Sequence, residues 1–100
     1  MATQNLRRND LNSVLLEGTL LNDPMKTEDP IGISFTIKTE STAKGRGSVA
    51  VPVFVPQEGR YYDLCSTLKI GQAVRIVGFL HPLGVFNILG VMAEHIEIQN

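Results

Sequence analysis

Two pairs of cations in this 100-residue sequence are placed where they could contact anionic groups. Lys44 and Arg46 flank Gly45 in the polar segment 41–48, which predicts a loop between two strands. Lys38 and Arg75 occupy outward positions of two predicted strands, because apolar residues alternate with them at a period of two. All four cations could bind phosphate groups. The loop pair could instead keep an exposed tip soluble, and the strand pair could protect sheet edges.

Two phenylalanines add a second kind of chemistry. Phe54 lies opposite the row of valines in its strand, and Phe79 lies opposite the apolar row of a later strand. Both rings are therefore expected on the face that points away from the core. An exposed ring can stack on a flat heterocycle or pack against a second protein surface, and the sequence leaves both alternatives open.

Catalysis finds no support in the residue pattern. There is no glycine-rich phosphate loop and no nucleophile, base and acid in a suggestive order. Cys65 is the sole cysteine, which excludes an internal disulfide and a cysteine-based zinc site. His81 and His95 are the only histidines, so a metal site is not expected either. We predict no enzyme activity, no metal and no cofactor.

The bulk composition restricts the function further. Nine basic and ten acidic residues give a net charge of −1 and a pI of about 6.1. A nucleic-acid-binding domain more often has a pI above ~9, so such a function would depend on local charge. No apolar run reaches the roughly 18 residues of a membrane span, and no signal peptide is visible. The sequence therefore predicts a cytoplasmic protein with no membrane partner.

Valine and isoleucine patterns predict a protein built mainly from strands. Residues 1–10 are polar and predict a flexible N-terminal arm, and residues 11–100 predict one domain. The predicted order is strand 11–21, bent at Gly18, then strands 31–40 and 49–55, helix 57–69, strand 72–80, a tight connection at 82–84, and strand 85–98. Five strands with one short helix between strands 3 and 4 predict an all-β Greek-key barrel of the OB-fold type.

Several segments resemble bacterial single-stranded-DNA-binding proteins (SSBs). The run NSVLLEGTLLNDP, from Asn12 to Pro24, is similar to their opening strand, in which Asn-x-Val-x-Leu-x-Gly ends in Asp-Pro. The run LKIGQAVRIVG at 68–78 is similar to their Leu-x-Lys-Gly-x-x-Val-x-Ile-x-Gly. FTIKTES at 35–41 and AEHIEI at 93–98 resemble their second and closing strands. The resemblance covers about 11–98 and includes the related primosomal replication protein N branch.

This resemblance implies sequence-tolerant binding of single-stranded DNA by a homo-oligomer, a homodimer unit or a homotetramer, in DNA replication, recombination or repair. Two alternatives are a primosomal accessory protein with replication partners, and an OB-fold oligomer that mainly binds protein. Family members stack bases on tryptophan, but this sequence has none. It also lacks a counterpart of their long loop between strands 4 and 5 and of their acidic tail. The expected DNA-binding residues are Lys38, Lys44, Arg46, Phe54, Arg75 and Phe79.

Overall fold

The structure, a computed structural model, describes residues 10–40 and 47–99. Lys44, Arg46 and nearly all of the predicted N-terminal arm lie outside these ranges. The elements are six strands and one single-turn helix: β1 (Val14–Leu20), β2 (Met25–Glu28), β3 (Ile31–Glu40), β4 (Ser48–Pro56), α1 (Tyr62–Cys65), β5 (Ala73–Leu83) and β6 (Ile88–Gln99).

The six strands form one sheet that closes on itself. Its order is β1-β5-β6-β4-β3-β2, and β1 pairs again with β3 through Thr19 with Lys38 and Leu20 with Ile37. The pairing of β4 with β6 is parallel and the others are antiparallel. The predicted all-β OB-fold barrel is thus confirmed. The sequence prediction lacked β2, because its four residues MKTE show no alternation of apolar and polar side chains.

The barrel interior is filled by the alternating apolar rows on which the strand predictions depended. Each strand contributes every second residue to one face, so the inward rows meet inside the closed sheet. The buried cluster comprises Leu20, Ile33, Phe35, Ile37, Val53, Val55, Cys65, Leu68, Val74, Ile76, Val91, Ala93 and Ile96.

The helix is much shorter than the predicted 57–69. Within the predicted range, Cys65 and Leu68 are nevertheless buried in the core. The hydroxyl groups of Ser66 and Thr67 donate hydrogen bonds to the carbonyl oxygens three residues earlier, at 2.7 Å each. Side-chain bonds of this kind compete with helical backbone pairing. The segment therefore continues past α1 as turns.

The hairpin of β5 and β6 is longer than the sequence predicted. Pro82 and Leu83, expected in a tight connection, are paired within the hairpin with residues of β6. The turn lies one step later, from Gly84 to Asn87, and the Asn87 N–H donates to the Gly84 carbonyl at 3.2 Å. Both residues have positive φ, 71° and 52°, a conformation that glycine and asparagine adopt most readily. The prediction placed the turn at 82–84, so it included Gly84 but missed Asn87.

Candidate nucleic-acid interface

Lys38 and Arg75 line one open cleft of about 780 Å³ between β1, β3 and β5. The barrel closure brings them together, because β1 lies between their two strands and pairs with both. The cleft also contains Glu17 and Glu40. Its electrostatics therefore depend on how tightly each carboxylate holds its cation.

Arg75 is held by carboxylates on both neighbouring strands. Its Nε donates to Glu17 Oε2 at 2.7 Å, and its Nη1 lies 3.8 Å from Glu97 Oε1. The hydrogen bond to Glu17 and the charge of that carboxylate raise the pKa of Arg75 above its usual value. A phosphate would have to displace one of these partners. The sequence predicted an outward Arg75 but could not reveal the cross-strand register, which places both glutamates directly opposite it.

Lys38 is bound much more loosely. Its Nζ lies 3.8 Å from Glu40 Oε2, and 47% of its side chain is exposed. An exposed pair at that distance is weak and is screened by salt. Lys38 is therefore available to an incoming phosphate. It precedes the segment 41–46 that carries Lys44 and Arg46 by two residues.

A second groove, of about 890 Å³, lies over the outer face of β2, β3 and β4. One wall is the turn Asp29-Pro30, and the other is the projecting β5–β6 hairpin. The apolar side chains that line it are Met25, Pro30, Pro52, Phe54, Pro82, Leu83, Val85, Ile88 and Met92. In OB-fold proteins the corresponding face, between two such loops, is where oligonucleotides and oligosaccharides bind.

Phe54 belongs to the floor of this groove and is not an exposed platform. It does not belong to the core cluster, as the alternation of side chains along β4 predicted, but only 6% of it is exposed. The reason is Gly32, diagonally across the β3–β4 pair, whose missing side chain leaves the space that the Phe54 ring occupies. The predicted outward position of Phe54 is correct, but its ring is covered and offers little surface for stacking.

Phe79 and Phe86 differ in how much of each ring is exposed. Phe79 is half-buried and meets the ring of His81 edge to face, with centroids 6.0 Å apart. Phe86, at the tip of the β5–β6 hairpin, is 83% exposed. Sequence reasoning missed Phe86, because it assigned residues from 85 onwards to a strand. The spacing of Gly84 and Asn87 around it was the available signal.

Charge is unevenly distributed along the chain. All ten acidic residues lie in the part that the structure describes, together with five of the nine basic residues. The remaining four cations are Arg7 and Arg8 near the N-terminus and Lys44 and Arg46 in segment 41–46. The described barrel therefore carries an excess of negative charge, and any attraction for a polyanion must come from those segments and from locally exposed cations such as Lys38.

Three residues within the segments that resemble SSBs help to position the backbone of the barrel. A side chain at Gly18 would collide with the Lys38 carbonyl, and one at Gly78 with the Met92 carbonyl. Asp23 Oδ1 accepts a hydrogen bond from the Ile70 N–H at 2.7 Å. Gly18, Gly78 and Asp23 therefore shape the barrel and do not themselves offer side chains to a ligand.

Two further properties concern the described residues alone. They contain no group of three or more histidine, cysteine, aspartate or glutamate side chains arranged to hold a metal ion. No helix among them has the length and apolar character needed to cross a membrane.

Comparison of sequences gave no match to any family model and no match among curated proteins. Comparison of structures gave clear similarities. An SSB deletion mutant from Thermus aquaticus superposes with a TM-score of 0.71 at 19% identity, over 97% of this chain and 45% of that one. This chain therefore spans less than half of that protein's length.

Two smaller proteins match along most of both chains. The dimeric N-terminal domain of PriB from Thermoanaerobacter tencongensis has a TM-score of 0.69 at 18% identity, covering 89% of this chain and 97% of that one. A mitochondrial single-stranded-DNA-binding protein of S. cerevisiae has a TM-score of 0.66 at 14% identity, covering 90% and 96%. By its barrel topology and these superpositions, the chain has the OB-fold that these single-stranded-DNA-binding and PriB proteins share.

Proposed function

We propose that this protein binds single-stranded DNA without strong sequence preference, in replication, recombination or repair. The observation that supports this most is the open outer face of β3 and β4 between two hairpins, in a barrel similar to those of two single-stranded-DNA-binding proteins. That face is the ligand surface of OB-folds in general.

Phosphate contacts are assigned to Lys38, Lys44 and Arg46. Lys38 lies on the outer face of β3 near the strand end that leads into the segment with the other two cations. That segment has no acidic residue, so nothing within it offsets its charge. Arg75 is given a different role: its bonds to Glu17 and Glu97 tie β1, β5 and β6 together.

Base contacts are assigned to exposed rings. Phe86 offers the largest exposed aromatic surface in the described chain, and Phe79 offers part of its ring. Stacking on an aromatic side chain is worth about 1–3 kcal/mol per base and tolerates any base. With so few rings, we expect binding that is weak and depends mainly on phosphates.

The test is a fluorescence-anisotropy titration with labelled oligo-dT at several salt concentrations. Three phosphate contacts predict a slope of log K against log salt of about −2 per subunit. Replacing Lys44 and Arg46 with alanine should make the slope less steep by about 1.4. The matched control is the double variant Lys26→Ala and Lys69→Ala, which removes equal charge elsewhere.

Two outcomes would contradict the proposal. Absence of oligo-dT binding at low salt would favour the alternative in which the barrel mainly binds protein. An unchanged slope in the Lys44 and Arg46 variant, with DNA still bound, would remove that segment from the DNA site.

Self-association through β1 is part of the proposal. On the side away from β5, β1 pairs with β3 only at Thr19 and Leu20, so the described sheet leaves the edge from Val14 to Glu17 unpaired. Leu11 and Leu15 beside it are 93% and 66% exposed. An apolar strand edge of this kind favours pairing with a second copy. Light scattering should show a dimer or tetramer for the native chain and a monomer for Leu15→Lys; a monomeric native chain at micromolar concentration contradicts it.

A further inference from the structure

The groove between the Asp29-Pro30 turn and the β5–β6 hairpin is chemically unlike a phosphate site. Among the described residues that line it there is no lysine or arginine, and its ionisable side chains are Asp29 and His81. Lys26 is in β2, but the residues of β2 that line the groove are Met25 and Thr27, so by alternation Lys26 points to the opposite face. The groove itself therefore offers a polyanion little attraction.

The charge around the groove favours a cationic ligand. Asp29 is exposed and lies in its lining, and Glu28 is the adjacent residue. The described barrel as a whole carries ten acidic and five basic residues. A carboxylate at the edge of a mainly apolar groove attracts a basic group and repels phosphates.

The groove also has an unpaired strand at its rim. β2 is the last strand in the sheet order and pairs only with β3 in the described structure. Its outer backbone edge can therefore pair with an added strand, a recurring way of binding extended peptides. Four residues at about 3.3 Å each give an edge of about 13 Å, which suits a segment of four to six residues.

Exposed apolar side chains continue from the groove onto the hairpin. Val85 and Ile88 both line it and are 81% and 56% exposed. Together with Met25, 63% exposed, they give apolar contacts on both sides of the floor formed by Phe54. Covering such a surface would release water from apolar area, which is favourable.

We propose that this groove binds an extended peptide with apolar side chains and at least one lysine or arginine, presented by a partner protein. The peptide backbone pairs with the edge of β2, its apolar side chains cover the floor and the hairpin, and its cation lies beside Asp29. The peptide would occupy the outer face that the proposed function gives to DNA bases. The inference needs none of the assigned phosphate contacts, which lie towards the other end of β3.

The probe is a fluorescein-labelled hexapeptide of alternating valine and lysine, titrated by anisotropy at 0.15 M salt. A matched valine–glutamate peptide serves as the comparison. We expect the lysine peptide to bind at least tenfold more tightly than the glutamate peptide. Asp29→Asn should weaken the lysine peptide by about threefold or more.

Matched surface variants locate the site. Ile88→Ser should weaken the lysine peptide by about tenfold. Ile70→Ser should leave it unchanged, since Ile70 is similarly exposed, at 62%, but does not line the groove. Circular dichroism checks that both variants remain folded. Because both substitutions leave the net charge unaltered, a difference between them cannot come from general attraction to an acidic protein.

Three results would overturn the inference. The native protein could fail to bind the lysine peptide, or Ile70→Ser could weaken it as much as Ile88→Ser does. The third result is that Ile88→Ser abolishes oligo-dT binding but leaves peptide binding intact. That result would assign the groove to nucleic acid. Loss of oligo-dT binding alone, in a protein that binds the peptide, would contradict the proposed function and leave this inference standing.

Discussion

The side-chain amide of Asn12 makes both hydrogen bonds that an adjacent strand would make to Leu80. Its Nδ2 donates to the Leu80 carbonyl at 3.0 Å, and its Oδ1 accepts from the Leu80 N–H at 2.9 Å. β1 pairs with β5 only as far as Val14 with Gly78. Asn12 thus extends this pairing by one step with a side chain, at the point where β5 leaves the barrel.

Asn12→Asp should destabilise the protein by about 1 kcal/mol, since the carboxylate keeps the acceptor and loses the donor to Leu80. Urea unfolding followed by circular dichroism measures the difference. Ser13→Ala, one residue along and exposed, is the control and should change stability by less than about 0.5 kcal/mol. Equal stability of Asn12→Asp and the native chain would mean that water replaces the lost bond.

Gly78 faces the backbone of the opposing strand at the β5–β6 irregularity. An added Cβ would collide with the carbonyl of Met92. Backbone atoms cannot move aside as a flexible side chain can, so Gly78→Ala should cost about 1–3 kcal/mol or prevent folding. The control Gly59→Ala, whose Cβ would lie 3.1 Å from the Pro56 carbonyl oxygen, should cost clearly less. Thermal unfolding of both variants gives the comparison.

The sequence predicted the barrel well because its strands are specified locally. The alternation of Ile33, Phe35 and Ile37 determines which face of β3 is buried without reference to any other strand. Gly18 was also singled out from the sequence alone, and in the structure it allows the close approach of the Lys38 backbone of β3.

The candidate site was less predictable because it depends on which strands become neighbours. Nothing near Arg75 in the sequence reveals Glu17, which lies 58 positions away and is brought opposite only by the β1–β5 register. The burial of Phe54 depends on Gly32 in the neighbouring strand. Outward position was correctly inferred for both residues, but an outward side chain can still be occupied or covered.

Cys65 should be unreactive in the folded protein. It is fully buried, and burial raises the pKa of its thiol from 9.0 to about 12. Since the thiolate is the nucleophile, iodoacetamide at pH 8 should modify it only when the protein opens. Labelling should therefore rise with urea in parallel with unfolding. Fast labelling without denaturant would contradict the burial.

The same shift predicts a dependence of stability on pH. An unfolded thiol begins to ionise near pH 9.0, whereas the folded one keeps its proton until about pH 12. Between those values the unfolded state binds fewer protons, so the free energy of unfolding falls as pH rises. Cys65→Ala is less stable at neutral pH because it leaves a cavity, but it should lose less additional stability from pH 8 to 10.5 than the native chain does. Identical losses would contradict the shift.

Phe54 and Phe86 provide the sharpest separation between folding and binding. Phe54 is 6% exposed, so Phe54→Ala should cost about 3–5 kcal/mol of stability through lost burial and the cavity left behind. Phe86 is 83% exposed, so Phe86→Ala should leave the free energy of unfolding within about 0.5 kcal/mol of the native value. Chemical denaturation of the two variants tests this half of the prediction.

The second half of this prediction concerns DNA affinity, where Phe86→Ala should have a clear effect although it leaves stability unchanged. If the Phe86 ring stacks on a base, Phe86→Ala should weaken oligo-dT by about 1–3 kcal/mol, which is roughly five- to 150-fold. Its salt slope should stay close to that of the native protein, because stacking releases no counterions. The conservative variant Phe86→Tyr retains the ring and should restore most of the affinity. An affinity unchanged in Phe86→Ala, with oligo-dT still bound, would remove the hairpin tip from the DNA site and leave the bases to the face between the two hairpins.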